Sequence, residues 1–159
     1  MADDKLYFHV AILVEDIEAA MAKFSQALGL SFHPPITAEF SRLEDPHPHA
    51  SFCRCTYSAD GPPHIELIEA NGDGLFSIEQ GEGVHHLGFW EDDMEGRCSL
   101  LARAGVGEGA RTVGVDGLTY SWFNDPAACH GVRLEYLNTI QREVAEAWMK
   151  TGHLGPVNL

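Results

Sequence analysis

Gly83-Val84-His85-His86-Leu87-Gly88-Phe89-Trp90-Glu91-Asp92-Asp93-Met94-Glu95 decides the reading of this chain. It repeats, without a gap, the earlier stretch Phe8-His9-Val10-Ala11-Ile12-Leu13-Val14-Glu15-Asp16-Ile17-Glu18. Superposed, His9 falls on His86, Glu15 on Asp92, Asp16 on Asp93 and Glu18 on Glu95. Each copy reads as a histidine opening a short apolar strand, then an acidic turn, then a helix start. Asp16 and Asp93 are placed to cap those helices, because a carboxylate there accepts the orphan N–H groups of the first turn. A second echo closes each half: His64-Ile65-Glu66-Leu67-Ile68 and Arg133-Leu134-Glu135-Tyr136-Leu137. The chain is one module used twice, opening on a His-bearing strand and closing on a Glu-bearing one. Two histidines and two carboxylates at equivalent positions of a duplicated unit suggest a metal site.

Working outward, Leu6 to Val14 reads as a buried strand. Apolar residues at 17, 20, 21, 24 and 28 give a helical period that stops at Gly29. Leu30 to Phe32 reads as a short strand broken by Pro34-Pro35. The segment 36–50, with Asp45-Pro46-His47-Pro48-His49, reads as a mobile loop whose histidines are solvated. Ser51 to Tyr57 and His64 to Glu69 are strands around the turn Asp60-Gly61-Pro62-Pro63. Asn71-Gly72-Asp73-Gly74 joins the halves and is too short to separate independent domains. Leu75 to Gln80 suggests a helical turn. The second copy offers a strand at Val84 to Trp90, a helix at Met94 to Ala104 ended by Gly105, and short strands in the glycine-rich stretch 105–117. Strands at Leu118 to Phe123 and Val132 to Leu137 follow, with a turn at Asn124-Asp125-Pro126 between them. Ile140 to Lys150 has an amphipathic helical pattern, and the last nine residues read as frayed. Gly107-x-Gly109 is too sparse for a phosphate loop. The expected class is α+β: one domain over 1–159, built of two βαβββ modules (about 6–72 and 83–138) plus the helix 140–150. Their sheets would curl into an incomplete barrel around one cavity.

Composition narrows the partners. With 159 residues, 45% of them hydrophobic, the chain can bury a core of its own. A formal charge of −14 argues against nucleic acid, which needs basic surface to release counterions, and against anionic membranes. There is no apolar run near the roughly 20 residues a spanning helix needs, and the start Met1-Ala2-Asp3-Asp4-Lys5 is polar. A cytoplasmic protein with a small-molecule substrate is expected, as a homodimer. Cys53, Cys55, Cys98 and Cys129 do not make a disulfide framework in a chain of this size. Cys53 and Cys55 share a strand face and read as reduced packing residues, a zinc-binding pair being the alternative.

Strand alternation sorts the candidate site. His86 shares its face with Gly88 and Trp90, and His9 shares one with Ala11 and Leu13. His85 points the other way with Leu87 and Phe89, as a packed or supporting histidine. Glu66 lies with His64 and Ile68; Glu135 lies with Arg133 and Leu137. A carboxylate in mid-strand is costly to bury, and ten basic residues against 24 acidic ones leave few partners for two of them. Two carboxylates and two neutral imidazoles around a divalent cation would be electrically neutral. His64 is a candidate proton carrier by its face. Arg133 can meet a substrate carboxylate or phosphate, or form a rim salt bridge. Trp90, Tyr120 and Trp122 are candidate substrate contacts.

These motifs resemble the vicinal oxygen chelate superfamily, which includes glyoxalase I, methylmalonyl-CoA epimerase, extradiol dioxygenases and bleomycin-resistance proteins. The resemblance spans residues 6 to about 138. Gly83-Val84-His85-His86 followed by Asp92-Asp93, and Gly131-Val132-Arg133-Leu134-Glu135, are similar to the epimerase group. It implies paired βαβββ modules and a divalent ion (cobalt, nickel, manganese, iron or zinc) held by His9, Glu66, His86 and Glu135. It further implies an epimerase or isomerase that moves a proton beside a chelated carbonyl of an acyl thioester or related oxo acid. The alternatives are a glyoxalase I-like lyase acting on a hemithioacetal, an extradiol-type dioxygenase, and a metal-free binding protein. The group's non-ligand Glu would align near Phe52, and no acid stands between 46 and 59. Glyoxalase I-like enzymes use a metal-bound carboxylate instead, a part open to Glu66 or Glu135. Glu66 as a fourth ligand also argues against oxygen chemistry, which favours two histidines and one carboxylate.

Overall fold

A computed structural model describes residues 7–72 and 74–155. The polar start Met1 to Lys5, the expected strand start at Leu6, Asp73 of the connector and the tail 156–159 lie outside the described residues. The first half comprises β1 (Tyr7–Val14), α1 (Ile17–Leu28), β2 (Ile36–Glu44), β3 (Pro48–Tyr57) and β4 (His64–Glu69). Two short 3-10 turns, Gly74–Phe76 and Ile78–Gln80, lead into the second. It comprises β5 (Gly83–Glu91), α2 (Met94–Arg103), β6 (Glu108–Val113), β7 (Thr119–Asn124) and β8 (Leu134–Asn138). A further helix, α3 (Arg142–Thr151), completes the described chain.

Local chemistry sets these boundaries. Asp16 Oδ1 accepts from the Ala19 amide at 2.8 Å, and Gly29, at φ 71°, supplies the left-handed residue that ends α1. Asp93 Oδ1 accepts from the Gly96 amide at 2.9 Å in the matching place on α2. The strands close into one barrel in the order β1-β4-β3-β2-β6-β7-β8-β5. Each half places its last strand parallel to its first, β4 beside β1 and β8 beside β5, the chain between them running through the helix and two further strands. Helix α1 covers Val14, Ile65 and Leu67 on the outside. Helix α2 covers Trp122 and Tyr136. Apolar on both faces, the strands read as near-continuous hydrophobic runs.

Two expectations need correction. The segment 36–50 is not a loop: β2 and most of β3 form an antiparallel hairpin, with Ile36 opposite Cys55 and Ala38 opposite Cys53. Its prolines bracket the strands rather than break them, and Ile36, Ala38 and Phe40 alternate inward. The stretch at Leu30 to Phe32 contributes only an isolated bridge between Phe32 and Ser58. The second correction follows. Because β2 reaches Glu44, it pairs with β6 through Arg42–Val113, Leu43–Thr112 and Glu44–Arg111, so the barrel expected to be incomplete is closed.

Helix α3 lies against the barrel's interior rather than on its outer face. Trp148 and Met149 join the interior cluster, and Trp148 meets Tyr57 edge-on at 4.9 Å between centroids. His33 Nε2–H donates to the Met149 carbonyl at 2.7 Å, tying the end of α3 to the loop before β2. Among the described residues, no helix is long and apolar enough to cross a membrane.

Candidate metal centre

Register brings the chemistry together. On β1 and β5, His9 lies opposite Gly88 and His86 lies opposite Ala11. Ala11 also pairs with Glu66 of β4, while Gly88 pairs with Glu135 of β8. Ala11 and Gly88 are equivalent under the repeat. Each imidazole therefore crosses a small residue on the neighbouring strand, with a carboxylate on the strand beyond. At Gly88 the fit is obligatory: a Cβ there would overlap the His9 ring.

All four side chains are buried, and His9 is completely so. His9 Nε2 lies 2.9 Å from His86 Nε2, 3.3 Å from Glu66 Oε2 and 3.3 Å from Glu135 Oε2. His86 Nε2 lies 3.5 Å from Glu66 Oε2 and 3.0 Å from Glu135 Oε2. Those are five contacts, and the two Nε2 atoms can supply at most two protons between them. Lone pairs aimed at one point, more than protons can satisfy, are what a cation would fill. Among the described residues, His9, His86 and Glu135 have donor atoms all within 4.8 Å of one another, and Glu66 joins them through its imidazole contacts. Nitrogen and carboxylate donors suit a divalent transition ion.

His85 explains which nitrogen of His86 faces this point. His85 Nε2 lies 2.8 Å from the Leu75 carbonyl, which can only accept, so Nε2 carries the proton. His85 Nδ1 then accepts from His86 Nδ1–H at 2.7 Å, leaving the His86 Nε2 lone pair directed at the centre. This corrects the expectation that His85 faces away. The β1–β5 ladder shifts register between Ala11 and Ile12, so that Val84 and His86 pair and His85 is the extra residue of a bulge. A bulge breaks strict alternation and re-aims the side chain. A matching shift makes Phe8, the repeat equivalent of His85, the extra residue beside His9. Phe8 makes no such hydrogen bond, and His9 Nδ1 is buried without a partner among the described residues.

Electrostatics follow the geometry. Burial opposes a charge on His9, but hydrogen bonds to Glu135 and Glu66 outweigh it and raise its pKa to about 9. His86 is raised too, burial being overcome by the Glu135 and Glu66 carboxylates. Burial pushes the carboxyls of Glu66 and Glu135 upward, yet the two imidazoles beside them bring both below the usual range. Burial, with His86 and then Arg133 nearby, drives His85 down to about 3, so it is neutral. That is the protonation its relay requires.

A cavity of about 110 Å³ opens onto Glu66, His86 and Glu135. Its walls are mainly apolar, from Ile36 and Phe40 on β2, Cys53, Cys55 and Tyr57 on β3 and Phe123 on β7. The two cysteines are free and buried. Tyr120 lines the cavity and donates its hydroxyl to Asp116 at 2.9 Å. The other sequence candidates are placed elsewhere. Trp122 alternates outward, packs beneath α2 and donates its indole N–H to Glu108 at 2.6 Å. Trp90 faces inward but stacks on Phe8 at 4.1 Å, at the far end of β5, lining a separate depression together with His64. The His64 ring sits 2.8 Å from the Ser58 carbonyl through Nδ1. Arg133 donates to Gln80 at 2.8 Å and borders another depression with Asp45 and Asp125. Gln141, Ala145, Trp148 and Leu154 form a wall the sequence reading did not anticipate. The amphipathic pattern of 140–150 was the available signal, without an indication of what it covers.

Several solved structures share the fold. A hypothetical protein from Bacillus halodurans C-125 superposes with a TM-score of 0.64 at 20% identity, covering 86% of this chain and 95% of that one. A variant Streptomyces coelicolor methylmalonyl-CoA epimerase in complex with 2-nitronate-propionyl-CoA gives 0.61 at 21% identity, covering 83% and 92%. A Mycobacterium tuberculosis methylmalonyl-CoA epimerase gives 0.57 at 19% identity, covering 87% and 92%. No curated protein matches the chain by sequence. Residues 8–118 match the profile of one family, and on that match the chain belongs to the glyoxalase/bleomycin resistance protein/dioxygenase superfamily.

Proposed function

We propose that this protein is a divalent-metal-dependent isomerase of the epimerase type, moving a proton next to a carbonyl of a small acyl substrate. One observation carries the reading: His9, Glu66, His86 and Glu135 direct four donors at one buried point with contacts of 2.9–3.5 Å. Those four residues would hold the ion. When bound, it would polarise a substrate carbonyl and stabilise the negative charge that develops beside it. The likeness to epimerases, one of them captured with an acyl-CoA analogue, supports an acyl thioester as substrate. All four donors come from one chain, so a homodimer would not be needed to complete the centre.

The rest falls to the protein's own groups. Glu66 and Glu135 are the carboxylates at the cavity, and we assign the proton transfer to one of them. Each would take the substrate proton on a carboxylate oxygen and return it. His64 is displaced from this part by its place outside the cavity. The apolar walls and the Trp148 indole exclude water, which strengthens every charge interaction inside. A second reading, a glyoxalase I-like lyase acting on a hemithioacetal, is favoured by β3. Cys53, Cys55 and Tyr57 face inward there while Phe52 is half exposed, so this strand offers no carboxylate to the cavity.

The test is incubation of candidate acyl thioesters and hemithioacetals in heavy water with metal-loaded protein, read by NMR beside an oxygen electrode. The expected result is exchange of a substrate α-proton without oxygen uptake. Oxygen consumption coupled to ring cleavage of a catechol would replace this reading with a dioxygenase.

A further inference from the structure

We infer that Gln141 is a substrate-binding residue, its side-chain amide donating to an uncharged acceptor oxygen on the part of the substrate remote from the metal centre. The inference rests on the functional reading above and adds the class of group that the substrate carries. Gln141 Nε2 is buried and has no hydrogen-bond partner among the described residues. Buried polar groups are almost always paired, and one left unpaired in the wall of a ligand cavity calls for an explanation. Gln141 lines the same cavity as Glu66, His86 and Glu135. Among the described residues, the other unpaired buried side-chain atom is His9 Nδ1, on a residue of the candidate metal centre.

The placement of Gln141 is built, not incidental. It ends a 3-10 turn, Thr139–Gln141, six residues beyond Glu135. Asn138 fixes that turn from both sides: Oδ1 accepts from the Ile140 amide at 3.0 Å, and Nδ2 donates to the Thr119 carbonyl of β7 at 3.1 Å. Beyond it, α3 is held by Trp148 against Tyr57 and by His33 at the Met149 carbonyl. Gln141 is thereby anchored at both ends by contacts to the barrel.

The wall around it narrows the partner. Among the described residues no lysine or arginine lines the cavity, and two carboxylates do. With the two carboxylates balanced by the ion, an anionic group remote from the metal would be buried with no cationic side chain in the wall to pair it. An amide, ester, thioester or ketone oxygen accepts a neutral N–H without adding charge. The surrounding surface, from Ile36, Phe40 and Trp148, suits a compact apolar frame carrying that oxygen.

Three hydroxamates test this on cobalt-loaded protein by calorimetry. Acetohydroxamate presents the chelating head alone. Malonamic hydroxamate adds a neutral amide, and isovalerohydroxamate is its all-carbon isostere. Gln141→Leu should weaken malonamic hydroxamate by about tenfold, the usual value of one hydrogen bond, while leaving isovalerohydroxamate unchanged or tighter. Gln141→Met keeps the length, removes the donor and should show the same loss. In 15N-labelled protein, the side-chain NH2 signal that disappears in Gln141→Leu should shift with malonamic hydroxamate and stay put with acetohydroxamate. Equal effects of both variants on all three probes, or none on any, would overturn the assignment. Failure of acetohydroxamate to bind wild-type protein would remove the metal centre itself, and this inference with it.

Discussion

Gly88 lies across the β1–β5 ladder from His9, and the His9 imidazole occupies the space a side chain at Gly88 would need. The backbone of Gly88 is not in a left-handed conformation. Its value is therefore room, not conformational freedom. Gly88→Ala should leave the barrel folded and push His9 off the centre, lowering cobalt or nickel affinity by at least about tenfold, as disturbing a ligand's support does. Metal titration beside circular dichroism checks it; unchanged affinity would mean the His9 ring is not a donor.

For the metal, His85 should matter through His86 alone. His85→Phe keeps a ring against Phe76, on which His85 stacks at 5.7 Å, but removes the acceptor that holds the His86 tautomer. The expected outcome is a loss of roughly 10–100-fold in metal affinity, with a lower thermal midpoint from the unpaired Leu75 carbonyl and His86 N–H. His85→Gln, which can still accept from His86, should recover part of the loss. A neutral effect of His85→Phe on metal binding would show that the relay is packing only.

Metal and protons should compete for the same nitrogens. In the metal-free protein His9 is raised to about 9 from 6.5. The stability it contributes is present in full below pH 6.5 and fades as pH rises through about 9. The carboxylates run the other way, since their folded pKa values are lowered. They stabilise above their unfolded value and lose that contribution as pH falls through the folded one. Metal must displace the His9 proton, and the His86 proton where that ring is charged, so apparent affinity should rise by at least roughly tenfold per pH unit between pH 6 and 8. Titrations in buffers of different ionisation enthalpy would measure the proton released, and a flat profile would rule out His9 as a donor.

Helix α3 should be a structural wall as well as a binding one. Trp148→Ala empties a buried indole site against Tyr57 and should cost about 3–5 kcal/mol. Denaturant unfolding measures it. Glu135→Gln offers the contrast: little change in fold, but loss of solvent exchange through weakened metal binding, lost proton transfer or both.

The sequence by itself determined the duplicated frame. His9 and His86, Asp16 and Asp93, and Ala11 and Gly88 repeat at a constant spacing, and the closing strands carry Glu66 and Glu135 at matching places. Such signals are local: strand period, helix cap and repeat are written in neighbouring residues. Tertiary structure alone decided four other matters. The bulges at Phe8 and His85 depend on the register of one strand against another, which alternation along a single strand does not encode. The hairpin at 36–57 wins over its prolines because Leu43 gains burial and a partner on β6. Trp122 faces α2 rather than the cavity because Ser121 and Phe123 take the inward positions. The C-terminal wall, with Gln141 and Trp148, follows from where α3 docks. An amphipathic pattern announces an apolar face but not the surface that will bury it.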